Sequence, residues 1–163
     1  MTRIAIISDT HACWDEKYTK YLYECDQIWH AGDIGSEELA ENLEAIAPLK
    51  AVAGNIDGAN LRRKYGEFNI FVVDGVKVCM THIGGYPGRY AKGIKPLLVK
   101  EKPDIFISGH SHILKVIHDP QLNLLHINPG AVGKHGWQTV RTLIILEIEA
   151  SKITNCQVIE LSK

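Results

Sequence analysis

The chain lacks any long hydrophobic run. Its opening, MTRIAIISDTH, holds one short apolar strand, too brief for the apolar region of a secretory signal. No stretch approaches the ~18 consecutive apolar residues expected of a membrane span. Cysteine is sparse and scattered: Cys13, Cys25, Cys79 and Cys156 form no C-x-x-C pair. Such thiols, without a signal segment, suggest a reduced, cytoplasmic chain. Strong net charge is also missing. With 18 Lys+Arg against 19 Asp+Glu the balance is −1, so bulk electrostatics give no reason to expect nucleic-acid or membrane binding. No linker, repeat or low-complexity segment interrupts the sequence. A single domain over 1–163 is therefore expected.

What is present is a substantial apolar fraction, 45%, enough for a packed core. Arg3 to Ser8 reads as a buried β-branched strand, Asp15 to Glu24 as a helix, and Gln27 to His30 as a second strand. Ser36 is placed to cap an amphipathic helix carrying Leu39, Leu43 and Ile46, with Pro48 beyond its end. Leu49 to Ala53 is a third strand. This alternation predicts a parallel α/β half. The pattern then changes. Glu67 to Val73 and Val76 to Thr81 flank the turn Asp74-Gly75 as a hairpin. A helix is expected over Ile94 to Glu101, and strands over Asp104 to Ser108, Leu114 to His118 and Leu124 to Ile127. A closing hairpin spans Thr139 to Glu149 and Ile153 to Leu161. The order predicts an α/β fold of two mixed β-sheets flanked by helices, with the last hairpin added to the second sheet.

Chemistry-bearing residues gather at the predicted strand ends. Asp9 and His11 lie in ISDTH, Asp33 in HAGD, Asn55 in AGNID, His82 in MTHIGG, and His110 and His112 in SGHSH. Strand ends are where such folds collect residues distant in sequence. Asp9 and His11 flank one residue, so both can reach one ion. A carboxylate such as Asp33 can bridge two cations, which an imidazole cannot. Each block alone has a plainer explanation, such as an Asx turn for D-x-H or an ordinary G-N turn at Asn55. Together they supply three Asp/Asn oxygens and four imidazoles, more than one ion needs and suited to two adjacent divalent ions.

The five blocks, in this order, resemble those of the calcineurin-like metallophosphoesterase superfamily, and most of all its small bacterial and archaeal phosphodiesterase branch. The resemblance covers essentially the whole chain and extends to Asn128-Pro129-Gly130. It implies a four-layer α/β/β/α sandwich and a binuclear centre. Asp9, His11 and His112 would hold one ion, and Asn55, His82 and His110 the other, with Asp33 bridging. The implied cofactors are two divalent metal ions, manganese first, with iron, nickel, cobalt or zinc as alternatives. The implied activity is hydrolysis of a small phosphodiester by metal-activated water, in a chain that can form dimers or tetramers. A non-catalytic scaffold on the same fold and a phosphomonoesterase are the competing expectations.

Three positions depart from the wider pattern. Ile56 stands where many superfamily phosphatases carry a leaving-group His after the Asn. Gly84 follows His82-Ile83 where a second His is frequent, and Ala131 replaces a serine. Loss of the acid should hurt alkyl monoesters most and esters with good leaving groups least. Arg89 and Tyr90, in GGYPGRY, are candidate substrate contacts, by a guanidinium fork onto phosphate and by stacking on a base. Lys134 and His135 are candidate rim residues, His30 and Asp57 candidate supports.

Overall fold

Alternation within the buried strands decides the layering. The computed structural model describes residues 1–162. The first half runs β1 (Thr2–Ile7), α1 (Glu16–Leu22), β2 (Gln27–His30), α2 (Glu37–Glu44), β3 (Leu49–Ala51) and α3 (Ala59–Tyr65). The second runs β4 (Phe68–Val73), β5 (Val76–Thr81), β6 (Gly85–Tyr86), β7 (Arg89–Tyr90), α4 (Ile94–Glu101), β8 (Ile105–Ile107), β9 (Lys115–Asp119), β10 (Leu124–Asn128), β11 (Val140–Glu149) and β12 (Lys152–Ser162).

In β1, Ala5 and Ile7 face a core shared with Tyr18, Leu22, Leu39, Leu43 and Leu61 of the first three helices. Ile4 and Ile6 face a second core with Val78, Met80, Ile105 and Ile107 of β5 and β8. This period of two is what a strand buried on both faces requires. In the same way Cys79 and Phe106 turn from the inter-sheet core towards Ile94 and Leu98 of α4. The result is a four-layer α/β/β/α sandwich. Its mixed sheets have orders β12-β11-β1-β2-β3 and β4-β5-β8-β10-β9.

One expectation about the sheets is corrected. The closing hairpin joins the first sheet, through antiparallel pairing of β11 with β1 from Thr2↔Ile148 to Ile6↔Ile144. The physical reason lies in β1. It is buried on both faces and bonded to β2 on one side only, so its other edge needs a partner with two apolar faces. β11 supplies this, sending Leu143 and Ile145 to the helical core and Ile144, Leu146 and Ile148 to the inter-sheet core. Ser36 caps α2 as expected, its hydroxyl accepting the Leu39 N–H at 3.1 Å.

Candidate metal centre

Every one of the seven candidate residues follows the C-terminal end of a strand that has a parallel partner: β1, β2, β3, β5 or β8. Successive loops are fastened to one another by main-chain bonds. Asp9 N–H donates to the Gly32 carbonyl and His11 N–H to that of Asp33, both at 3.0 Å, and Gly109 N–H donates to that of His82 at 2.9 Å. The loops approach so closely that a Cβ on Gly54 would overlap Asp33, and one on Gly32 would overlap the His82 ring. Backbone strain concentrates here as well. Asp9 (φ 55°), His11 (44°), Asp33 (56°), His110 (73°) and His112 (64°) all sit in the left-handed region, at a cost on the order of 1 kcal/mol each for a non-glycine residue.

Two groups of three ligand atoms result, each with its atoms within 4.8 Å of one another: Asp9, His11 and His112, and Asp33, His82 and His110. The Asp33 carboxylate lies between them. Its Oδ2 is 3.2 Å from His82 Nε2 and 3.5 Å from His11 Nε2. Asp9 Oδ1 is 3.2 Å from His112 Nε2 and 3.8 Å from His82 Nε2. Asn55 Oδ1 lies 3.2 Å from His110 Nδ1, beside the second group.

The far side of two rings fixes their tautomers. His82 Nδ1 is 2.7 Å from the Ala31 carbonyl, so in the neutral ring it carries the proton. His112 Nδ1 is 3.0 Å from Gln138 Oε1. The amide of Gln138 is oriented by its Nε2, which donates to the Gly133 and His135 carbonyls. The Nε2 lone pairs of both neutral rings therefore face carboxylate oxygens. Asp9 Oδ1, His11 Nε2 and His82 Nε2 are buried without a hydrogen-bond partner among the described residues. Acceptors turned on one another in a buried cluster require a proton or a cation between them. Imidazoles that donate their outer N–H to a carbonyl-type oxygen are oriented as metal-ligating histidines are. The donor set, hard oxygens with imidazoles and no thiolate, suits divalent first-row ions.

Titration in the cluster follows the same contacts. Burial works against ionising Asp33, but the close approach and charge of the His82 ring, the Ile56 N–H and His11 outweigh it and hold the carboxyl at about 2. Burial opposes protonation of His82 and Asp33 and Asp9 override it, raising the ring. The close approach of the Asp9 carboxylate raises His112, and burial lowers His11.

Supporting residues explain the rigidity. Asp57 is buried and accepts the N–H groups of Ile34, Gly35 and Gly54 at 3.1, 2.9 and 2.8 Å, joining the Asp33 and Asn55 loops. His30 accepts from Gly32 N–H at Nδ1, so its Nε2–H donates to Thr10 Oγ1 at 3.0 Å, and Thr10 donates onward to the Ile34 carbonyl. Burial lowers His30 to about 4, which keeps this relay neutral. Asn128 Nδ2 donates to the Gly109 carbonyl and to Ser111 Oγ, both at 3.1 Å, fastening the His110–His112 turn. His135 stacks on His11 at 4.4 Å. Gln138 and Arg141 carry no motif signal in the sequence. Asp57 was visible there only as a neighbour of the Asn55 block, and Asn128 only through the Asn128-Pro129-Gly130 segment.

The expected substrate contacts fare differently. The Tyr90 ring meets Phe106 edge to face (5.9 Å), its hydroxyl donates to Asp119 at 2.6 Å, and it does not line the cleft beside the ligand cluster. β6 and β7 form a two-stranded hairpin, which places Arg89 on the surface. Arg89 does not line the cleft of ≈ 260 Å³ that contains His11, Asp33, Asn55, His110 and His112. Lys134 Nζ lies 3.8 Å from Asp15 and is likewise outside that lining. Ala131 is fully buried. Ile56, at the leaving-group position, is 48% exposed and lines the cleft without a proton to give.

Fold and site agree with what the chain is similar to. The profile of the calcineurin-like phosphoesterase superfamily domain matches residues 2–151. A "Probable metallophosphoesterase" of Methanothermobacter thermautotrophicus is 30% identical over 139 residues, 78% of this chain and 76% of the relative. Another, of Methanocaldococcus jannaschii, is 33% identical over 135 residues, 78% of this chain and 67% of the relative. The solved structure of Vps29 from Entamoeba histolytica, complexed with Zn²⁺, superposes with a TM-score of 0.75 at 17% identity over 98% of each chain, a likeness of fold alone. The chain belongs to the calcineurin-like phosphoesterase superfamily.

Proposed function

We propose that the protein is a metal-dependent phosphodiesterase. The observation that carries this reading is the pair of ligand groups joined through buried acceptors: Asp9 Oδ1 lies 4.0 Å from His11 Nε2 and 3.8 Å from His82 Nε2, and none of the three has a hydrogen-bond partner among the described residues. In this reading Asp9, His11 and His112 hold one divalent ion and Asn55, His82 and His110 the other, with Asp33 shared. Manganese is the first candidate, with iron, nickel, cobalt and zinc behind it. Two ions held by these residues would supply Lewis acidity, lowering the pKa of a bound water and offsetting phosphate charge.

The chain's own residues do the rest. Asp33 is held ionised, and it and Asp9 are both nearly dry, so charge acts in a weakly screened site. Ala31 and Gln138 fix which nitrogen of His82 and His112 is presented. The absence of a proton donor at Ile56 favours esters whose leaving group departs without help, which supports diester or activated-ester hydrolysis over alkyl monoester hydrolysis.

The test is hydrolysis of bis-p-nitrophenyl phosphate by the metal-free protein titrated with manganese, beside p-nitrophenyl phosphate and a His110→Ala control. Metal-dependent turnover, higher on the diester and lost in the control, is expected. A higher rate on the monoester would turn the reading to a phosphomonoesterase. Two bound metals with no turnover would turn it to a scaffold.

A further inference from the structure

Trp137 is 99% exposed, the highest value among the exposed large hydrophobic residues. It is also part of the cleft lining, with His11, Asp33, His110 and His112. An indole left wholly in water gains nothing for folding, so its place beside the ligand cluster is informative. Its segment is held. Gln138 bonds the Gly133 and His135 carbonyls and the His112 ring, and His135 stacks on His11. The indole therefore stands on a strap tied to two of the candidate ligands.

Two further facts constrain what it meets. The cleft, ≈ 260 Å³, is smaller than the roughly 300–1,000 Å³ of pockets that enclose a ligand of drug size. A phosphoryl group fits inside, but an attached arm must lie along the open rim. Among the described residues no lysine or arginine lines the cleft, so a second phosphate would find no counter-charge there beyond the histidines. Beyond the ligand cluster the lining offers the polar Asn55 and Ser111, the His135 ring, and the apolar Ile56 and Trp137, of which Trp137 is the largest planar surface. The tyrosine expected to stack, Tyr90, is committed elsewhere.

We infer that Trp137 is a stacking platform for a planar aromatic arm of the substrate, so that the favoured substrates are small phosphodiesters bearing a nucleobase. The inference rests on the phosphodiesterase reading above and names its substrate class. Trp137 positions substrate and is not placed among the groups that touch the reacting atoms. Base–aromatic stacking is individually strong and tolerant of base identity. The preference is therefore for nucleotides as a class rather than for one base.

The experiment measures equilibrium binding of AMP and of ribose 5-phosphate to the manganese-loaded protein by calorimetry, in wild type, Trp137→Ala and Trp137→Phe. The expected result is AMP bound about tenfold more tightly than ribose 5-phosphate by wild type. The two ligands should come within about twofold of each other in Trp137→Ala, with most of the preference kept in Trp137→Phe. No preference in wild type, or an equal preference in Trp137→Ala, overturns the inference. Manganese-dependent turnover of methyl p-nitrophenyl phosphate by wild type, an ester without a base, reports separately on the phosphodiesterase reading. If turnover is present while the AMP preference ignores Trp137, the stacking inference falls alone. If turnover is absent while the preference depends on Trp137, the catalytic reading falls and the aromatic-binding surface stands.

Discussion

The two ligand groups have the same composition, one carboxylate and two imidazoles each, yet they are held in different ways. Both carboxylates accept a backbone N–H, Asp33 from Ile56 and Asp9 from His110, so the difference lies in the imidazoles: in the second group His82 is oriented by a backbone carbonyl, that of Ala31. In the first, His112 depends on the Gln138 side chain and His11 on the His135 ring, both from the segment after Pro129-Gly130. Backbone bonds survive substitution and side-chain bonds do not. The first group should therefore yield to single mutations outside the ligands, and the second should resist them.

The largest effect belongs to the residue the groups share. Asp33→Asn removes the charge within 3.5 Å of both His82 and His11. Turnover should fall by at least on the order of 10³-fold, the counterpart of several kcal/mol of charge stabilisation. Stopped-time assays with saturating manganese would measure it.

Next comes the support beneath the first group. Arg141 is fully buried, donates to Asp15 at 2.9 Å and to the Val132 carbonyl at 2.8 Å, and so ties α1 to the strap. Asp15→Ala strands that guanidinium and removes the cap that accepts Lys17 N–H. A loss of about 3–5 kcal/mol is expected from the stranded charge, read from urea denaturation. A loss under about 1 kcal/mol would mean the pair is solvated.

A more selective break is Gln138→Ala. It should weaken one of two manganese sites about 10- to 100-fold and leave the other unchanged, seen as two resolved binding steps. Equal weakening of both steps would erase the distinction between the groups.

The smallest effect lies away from the groups. His126 is buried between Tyr86 (5.5 Å) and Phe106 (5.4 Å), and neither ring nitrogen has a hydrogen-bond partner among the described residues. Burial lowers it to about 4. The unfolded chain binds this proton more readily, so stability is complete above about 6.5 and is lost as pH falls from there towards 4. Between pH 7 and 5 the loss should be about 2 kcal/mol for His126, with His30 contributing in the same direction. His126→Phe should show a visibly shallower decline. An unchanged pH slope would place the linkage elsewhere.

Much of this was legible in the sequence because strand-end residues keep their local context. β2 and α4 have the expected bounds, and the D-x-H, G-D, T-H and G-H-x-H blocks converge. The illegible parts share a physical cause: their signal is tertiary. α3 has no side-chain cap and buries only Leu61, so it leaves little periodicity to read. The hairpin β6–β7 has two residues per strand, too few to show alternation. The sheet chosen by β11 depends on the unmet edge of β1, a pairing 140 residues distant in register such as Ala5↔Ile145. Asp57 looks like a turn residue until its three backbone donors, from two loops, are seen together. Trp137 reads as one aromatic residue in a glycine-rich segment until its exposure and its neighbours are known.

The central claim is that the two groups form one centre sharing Asp33. Manganese stoichiometry, measured by elemental analysis after equilibrium dialysis on wild type and Asp33→Asn and paired with bis-p-nitrophenyl phosphate turnover, tests it most directly. Two ions per wild-type chain with metal-dependent turnover, and at most one ion with almost no turnover in Asp33→Asn, is the expected result. One ion or fewer in wild type, or wild-type turnover in Asp33→Asn, would contradict a shared centre.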